Sequence, residues 1–143
     1  MREFWNIRYN KEEYIYGKEP NKFFAECIRG LTPGKLLLPA EGEGRNAVYA
    51  AGLGWDIYAF DFSEPARSKA MNLALENQVF LSYELSAWDD FEAPLDFFDV
   101  AAVCFLHLPS SDRRKFHDKL IQWVKPGGMI ICEYFSQKQY GMI

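Results

Sequence analysis

The chain has 143 residues, about half of them apolar and a quarter charged, which suits one globular domain large enough for a sheet with helices on both faces. A net charge of -4 with dispersed basic residues is a poor match for a nucleic-acid backbone, and the one basic run, Arg113-Arg114-Lys115, reads as a solvated helix face. No apolar run reaches the ~18 to 20 residues of a membrane span, no signal-peptide pattern opens the chain, and Cys27, Cys104 and Cys132 form neither a disulfide framework nor a metal knuckle, so buried thiols in a reducing cytoplasm are expected.

In chain order, Trp5 to Asn21 is aromatic and polar, broken by Gly17 and Pro20, and reads as a short helix or irregular arm packed over something. Asn21 to Arg29 is helical in period, with Phe23, Phe24, Cys27 and Ile28 on one side. Strand and helix then alternate. Lys35 to Pro39 is a buried strand, Arg45 to Leu53 a helix, and Asp56 to Phe60 a second strand. Ser63-Glu64-Pro65 starts a helix that runs to about Asn77. Val79 to Leu85 and Phe97 to Phe105 are strands, the latter apolar enough for the sheet centre. Ser110 or Ser111 caps a helix that turns Phe116, Leu120, Ile121, Trp123 and Val124 inward. Lys125 to Gly128 is a turn, and Met129 to Phe135 the fifth strand. Strands separated by helices predict an α/β fold, a three-layer Rossmann-like parallel sheet with right-handed crossovers. Residues 1–30 form the arm and first helix, and 31–143 the sheet domain, in one structural unit.

Four places could carry chemistry. The loop Pro39 to Asn46 puts Gly42 and Gly44 between strand and helix, where a ligand can approach the main chain beside free helix N–H groups; a tight turn without a ligand is the alternative. Asp61 ends the second strand about 20 residues past that loop, placed for both hydroxyls of a ribose; otherwise it caps the next helix, a task Ser63 already covers. Ala87, Trp88 and Asp89 follow the third strand, where Asp89 could accept from an adenine amino group or simply face water. His107, after Phe105 and Leu106, lies at the carboxyl edge of the central strand and is the candidate base, unless it only fixes its loop; His117 reads as surface.

These residues, taken with others, form an ordered set. It comprises Trp5 with Arg8-Tyr9, Tyr16-Gly17, Glu19-Pro20-Asn21, Glu41-Gly42-Glu43-Gly44-Arg45-Asn46-Ala47 and Asp61-Phe62-Ser63. It continues through Phe98-Asp99-Val100, His107-Leu108-Pro109 and Trp123-Val124-Lys125-Pro126-Gly127-Gly128. Nearly end to end, the chain resembles class I S-adenosylmethionine-dependent methyltransferases, in particular the tellurite-resistance and thiopurine branch. The resemblance implies S-adenosyl-L-methionine as cofactor and a small-molecule heteroatom acceptor of tellurite, thiol or selenium type. It implies a cofactor site lined by Tyr9, Tyr16, Glu41, Gly42, Glu43, Gly44, Asn46, Asp61, Phe62, Ala87, Trp88, Asp89 and Phe105, with no metal. The family's acidic residue inside the first strand is here Leu38, and its first glycine is Ala40, so Glu41 or Glu43 is expected to meet the cofactor's ammonium group. The family's sheet has seven strands. The last two are expected to be missing here through truncation, leaving an uncovered edge that favours a homodimer. Two other readings stay open: an NAD-dependent oxidoreductase, and a non-catalytic cofactor-binding module.

Overall fold

Three consecutive leucines define the centre of the molecule. Leu36, Leu37 and Leu38 of strand β1 (Lys35–Pro39) are all buried, as a strand covered on both faces requires. Side chains alternate across a strand, so Leu36 and Leu38 pack on one side with Phe24 and Ile28, while Leu37 packs on the other with Phe116 and Leu120.

The computed structural model describes residues 1–134 and the backbone of 137–142. Around β1 run β2 (Asp56–Asp61), β3 (Ser82–Leu85), β4 (Phe98–Cys104), β5 (Val124–Tyr134) and β6 (Gln137–Met142). Their order in the sheet is β3-β2-β1-β4-β5-β6. The first five are parallel, as expected, whereas β6 pairs antiparallel with β5. The expectation of a sheet without a sixth strand is therefore corrected, and β5 is not an uncovered edge. Helices α2 (Lys22–Arg29), α3 (Arg45–Gly52) and α4 (Glu64–Glu76) contact one another and the sheet, with the first apolar cluster between them. Helix α5 (Ser110–Trp123) backs the other face, and α1 (Arg2–Tyr9) rests on α4.

The helix starts follow their caps. Asn21 accepts from the Phe24 amide at 3.0 Å, and Ser63 from the Ala66 amide at 3.4 Å with Pro65 in the first turn. At α5 the cap position is Pro109, whose carbonyl takes the Arg113 amide, so neither Ser110 nor Ser111 caps it. Ile121 is half exposed rather than inward, because Phe116, Leu120 and Trp123 already fill the stripe that meets the sheet. The third strand begins three residues later than expected. Gln78, at φ 57°, turns the chain, and the Val79 amide still bonds back to Ala74. His117 is half-buried and its Nε2 lies 2.8 Å from the Tyr134 hydroxyl, which corrects the surface reading. Phe135, the expected end of the fifth strand, lies outside the described residues.

Lys125 to Gly128 does not separate a helix from a strand. It is a bulge inside β5, where Val124 pairs with Phe98 and Met129 with Val100, with the register shifted between them. Gly127 takes φ +84°, and a Cβ on Gly128 would meet Val124 Cγ1 at 2.6 Å and the Asp99 carbonyl at 2.7 Å. Gly128→Ala is expected to cost about 2 kcal/mol in urea unfolding through this overlap; an unchanged midpoint would mean that the bulge yields freely.

Candidate functional site

The chain leaves β1 through a series of left-handed turns. Ala40 has φ 49°, Gly42 69° and Gly44 92°, which carry it from the sheet into α3. Gly44 also allows close packing, since a Cβ there would sit 2.6 Å from the Ala70 Cβ. Ala40 adopts a conformation that glycine holds without cost, so this departure from the usual first glycine is tolerated at a strain of about 1 kcal/mol. The loop lies at the carboxyl end of β1, beside the point where the strand order reverses between β1 and β4, the usual ligand crevice of open α/β sheets.

Three side chains hold the loop from within. Asp61 is buried; its Oδ2 accepts from the Gly42 amide at 3.0 Å and its Oδ1 from the Ser63 amide at 3.0 Å. Ser63 does cap α4, but Asp61 is not thereby idle: it ties β2 to the glycine loop. Burial raises its pKa, partly opposed by these amides. Tyr83 donates its hydroxyl to the Gly42 carbonyl at 2.6 Å, so the Gly42 residue is gripped at both its amide and its carbonyl. Sequence reading missed Tyr83; its inward position in β3, opposite Ala59, was the only available signal. Glu41 accepts the Ala47 amide at 2.8 Å, and burial pushes its carboxyl up to about 8 against the pull of that amide and of Arg45.

Glu43 points its two oxygens at the arm. Oε1 accepts from the Ile15 amide at 2.7 Å, and Oε2 pairs with Lys69 Nζ at 2.8 Å, both partners being largely buried. Lys69 also donates to the Glu13 carbonyl, and Tyr14 donates to the Lys69 carbonyl. Asn46 accepts the Asn21 amide at 2.8 Å, while the Asn21 side chain donates to Glu133 at 2.7 Å. Residues 13–21 are thus sewn to α3, α4 and β5.

Tyr9 stacks on Trp5 at 5.4 Å and is buried, and a Cβ on Gly42 would lie 2.9 Å from its hydroxyl. Burial, reinforced by Asp61, holds that phenol well above its ordinary pKa. The arm therefore lies directly over the glycine loop. Tyr16 is half exposed and lies beneath two guanidinium groups, those of Arg8 and Arg45. The Ser86 amide bonds to the Asp61 carbonyl, which brings the turn Ala87–Asp89 beside the end of β2. Within it, Trp88 meets Phe116 edge-on at 5.9 Å and Asp89 is exposed. Phe62 carries Arg2 over its ring. Phe105, at φ 57°, bonds its amide to the Glu133 carbonyl and leads into the exposed His107. Two cavities, of about 470 Å³ near Tyr58 and Phe97 and about 320 Å³ near Asp99 and Gly128, lie away from this loop.

Among the described residues no cluster of three or more His, Cys, Asp or Glu is placed to hold a metal, and no helix is long and apolar enough to cross a membrane.

The chain belongs to the methyltransferase domain family, whose model matches residues 39–128, from the end of β1 through the β5 bulge. No curated protein matches by sequence. Among solved structures, the chain is similar to a protein from work on the conversion of a disulfide bond into a thioacetal group during echinomycin biosynthesis (TM-score 0.78, 23% identity, 92% of this chain and 58% of that one). It is similar to the Haemonchus contortus phosphoethanolamine N-methyltransferase 1 in complex with phosphoethanolamine and S-adenosylhomocysteine (0.76, 16%, 92% and 31%). It is also similar to a protein of Pyrococcus horikoshii (0.75, 17%, 94% and 62%). At these identities the likeness establishes the fold, and the chain spans less than two thirds of each of these proteins.

Two outcomes test the site's electrostatics. Because the folded state holds the Glu41 proton from the ordinary 4.5 up to about 8, wild-type stability falls as pH rises through that window. Glu41→Gln removes the loss and is expected to be more stable at pH 8 by about 2–3 kcal/mol, read from urea unfolding across the range. Lys69→Met leaves the Glu43 charge buried and unpaired, which costs about 3 kcal/mol and loosens the arm. Limited trypsin digestion is expected to cut faster at Lys11 and Lys18; equal rates would remove the latch.

Proposed function

We propose that this chain binds S-adenosyl-L-methionine at the glycine loop and transfers its methyl group to a heteroatom of a small-molecule acceptor of thiol, selenium or tellurite type, in the cytoplasm. The observation that carries this reading is the junction of Asp61 with the Gly42 amide at the β1–β4 switch point, inside the span that matches the methyltransferase family. The family favours a methyl donor over a nicotinamide. The neighbours captured with S-adenosylhomocysteine, among them a plantazolicin methyltransferase, support the same ligand.

The residues present suit that ligand. Each Asp61 oxygen has one amide on it and a second lone pair for a ribose hydroxyl. Glu41 replaces the acid that Leu38 does not supply: a buried carboxyl whose second oxygen can meet an ammonium group. Glu43 is a weaker candidate for that role, since Ile15 and Lys69 already occupy it. Ala87, Trp88 and Asp89 border the adenine side, with Phe62 and Phe105 at either flank. Bound there, the cofactor supplies a methyl carbon activated by a sulfonium. The protein's part is alignment and exclusion of water: the loop fixes the donor end, and Tyr9 and Trp5 close over it. His107, exposed at the edge of β4, is placed to take the proton that a protic acceptor gives up. Because Tyr9 rests on Gly42, the arm lifts for the ligand to enter.

Calorimetry with S-adenosylhomocysteine on this chain is expected to show micromolar binding and none with NAD. Glu41→Gln is expected to weaken it about tenfold, the scale of one charge-assisted contact. Because Glu41 is about half-protonated near pH 8 before it meets the ammonium, binding at pH 7.5 releases a proton, visible as a heat that depends on the buffer's ionisation enthalpy. Binding of NAD in place of S-adenosylhomocysteine, or of neither, would overturn the reading.

A further inference from the structure

Two arginines beside the glycine loop, Arg8 and Arg45, lack a close acidic partner among the described residues. Among the described residues, Arg8 Nε is buried and has no hydrogen-bond partner, although its N–H belongs to the guanidinium edge on which a carboxylate or phosphate docks. Among the described residues, neither Arg8 nor Arg45 makes an ion pair. Both guanidinium groups lie over the Tyr16 ring, at 5.8 and 5.6 Å from its centre, and Arg8 lies also over Trp5 at 5.7 Å. The carboxylates beneath are directed elsewhere: Glu43 to Lys69 and Ile15, Asp61 to Gly42 and Ser63, and Glu41 to Ala47, although Glu41 does feel the Arg45 charge.

Cation–π contact accounts for the seating of the two arginines on aromatic faces. It does not satisfy a buried N–H, and it does not relieve the repulsion of two like charges held around one ring. An anion would do both. It would accept from Arg8 Nε and one terminal nitrogen in the bidentate manner, with Arg45, seated over the same Tyr16 ring, supplying the second charge. The location fits the reaction, because Tyr9, the neighbour of Arg8, covers Gly42, and Arg45 is the first residue of α3.

We propose that Arg8 and Arg45, both seated over Tyr16, form a subsite for an anionic group, a carboxylate or other oxyanion, at the mouth of the glycine loop. It rests on the methyltransferase reading for the source of the anion, which is either an acidic group on the acceptor or the carboxylate at the cofactor's methionine end. A methyl acceptor of the first kind would be a small oxyanion or a molecule bearing a carboxylate or phosphate, held by its charge with its nucleophilic atom toward the donor.

The test uses the whole chain and three probes: inorganic phosphate, S-adenosylhomocysteine, and 5′-methylthioadenosine, which lacks the amino-acid end. The Arg8 Nε–H proton is followed by ¹⁵N-resolved NMR. In the acceptor case, phosphate shifts that resonance in the free chain and again with the protein saturated in S-adenosylhomocysteine, and Arg8→Gln or Arg45→Gln weakens phosphate binding roughly tenfold. In the cofactor case, the same variants weaken S-adenosylhomocysteine by a similar factor and leave 5′-methylthioadenosine unchanged. Either result supports the subsite. It is overturned if neither variant alters phosphate or S-adenosylhomocysteine binding, or if phosphate moves the Arg113 to Lys115 signals alone. Failure of the wild-type chain to bind either nucleoside defeats the methyltransferase reading without touching the phosphate measurement, so the two failures are told apart.

Discussion

A buried carboxylate that accepts from two backbone amides is the contact on which the upper edge of this sheet depends. Left-handed turns at Ala40, Gly42 and Gly44 expose main-chain groups in directions no regular element can satisfy. Asp61 takes the Gly42 amide, Tyr83 its carbonyl, and Glu41 the Ala47 amide at the start of α3. These are the groups that make a loop of such unusual angles a fixed surface rather than an ensemble. They also concentrate carboxyl groups in a poorly hydrated place, which is why burial raises both Asp61 and Glu41.

The second layer of the design is the arm. Its connection is polar and largely buried: Glu43 with Lys69 and Ile15, Asn46 with Asn21, and Asn21 with Glu133. Such contacts are directional, so they set where the aromatic residues of α1 come to rest, and burial of Tyr9 against Gly42 follows from them. The glutamate of the glycine loop thus serves the arm, and the glutamate before the first glycine serves the loop.

Much of this was legible in the sequence, for physical reasons that differ from element to element. The parallel strands were readable because burial on both faces writes unbroken apolar runs such as Leu36 to Leu38 and Val100 to Val103. The glycine loop was readable because only glycine holds those angles without cost, and Asp61 because a charged residue at a strand end needs a purpose. What escaped were pairings decided by distance in space. Tyr83 looked like any inward aromatic, His117 like any helix polar residue, and Asp61 seemed spared by Ser63. The bulge at Lys125 to Gly128 was read as an ordinary turn because Pro-Gly-Gly signals a change of direction but not whether the strand resumes in register. The sixth strand left little trace in the sequence, since Gln137 to Met142 is mostly polar and pairs only at the edge of the sheet.

The Asn21 junction bears on how the chain is made. Its side chain binds Glu133, 112 residues later, so the clasp that seats the arm joins an early part of the sequence to the last strand of the parallel set. In synthesis from N- to C-terminus Tyr9 and Tyr14 emerge before their neighbours on the glycine loop and α4, and Asn21 long before Glu133 of β5. Long-range closure of this kind slows folding and leaves aromatic surface uncovered in the meantime. The same arm that covers the glycine loop in the folded chain therefore waits uncovered while the rest is made.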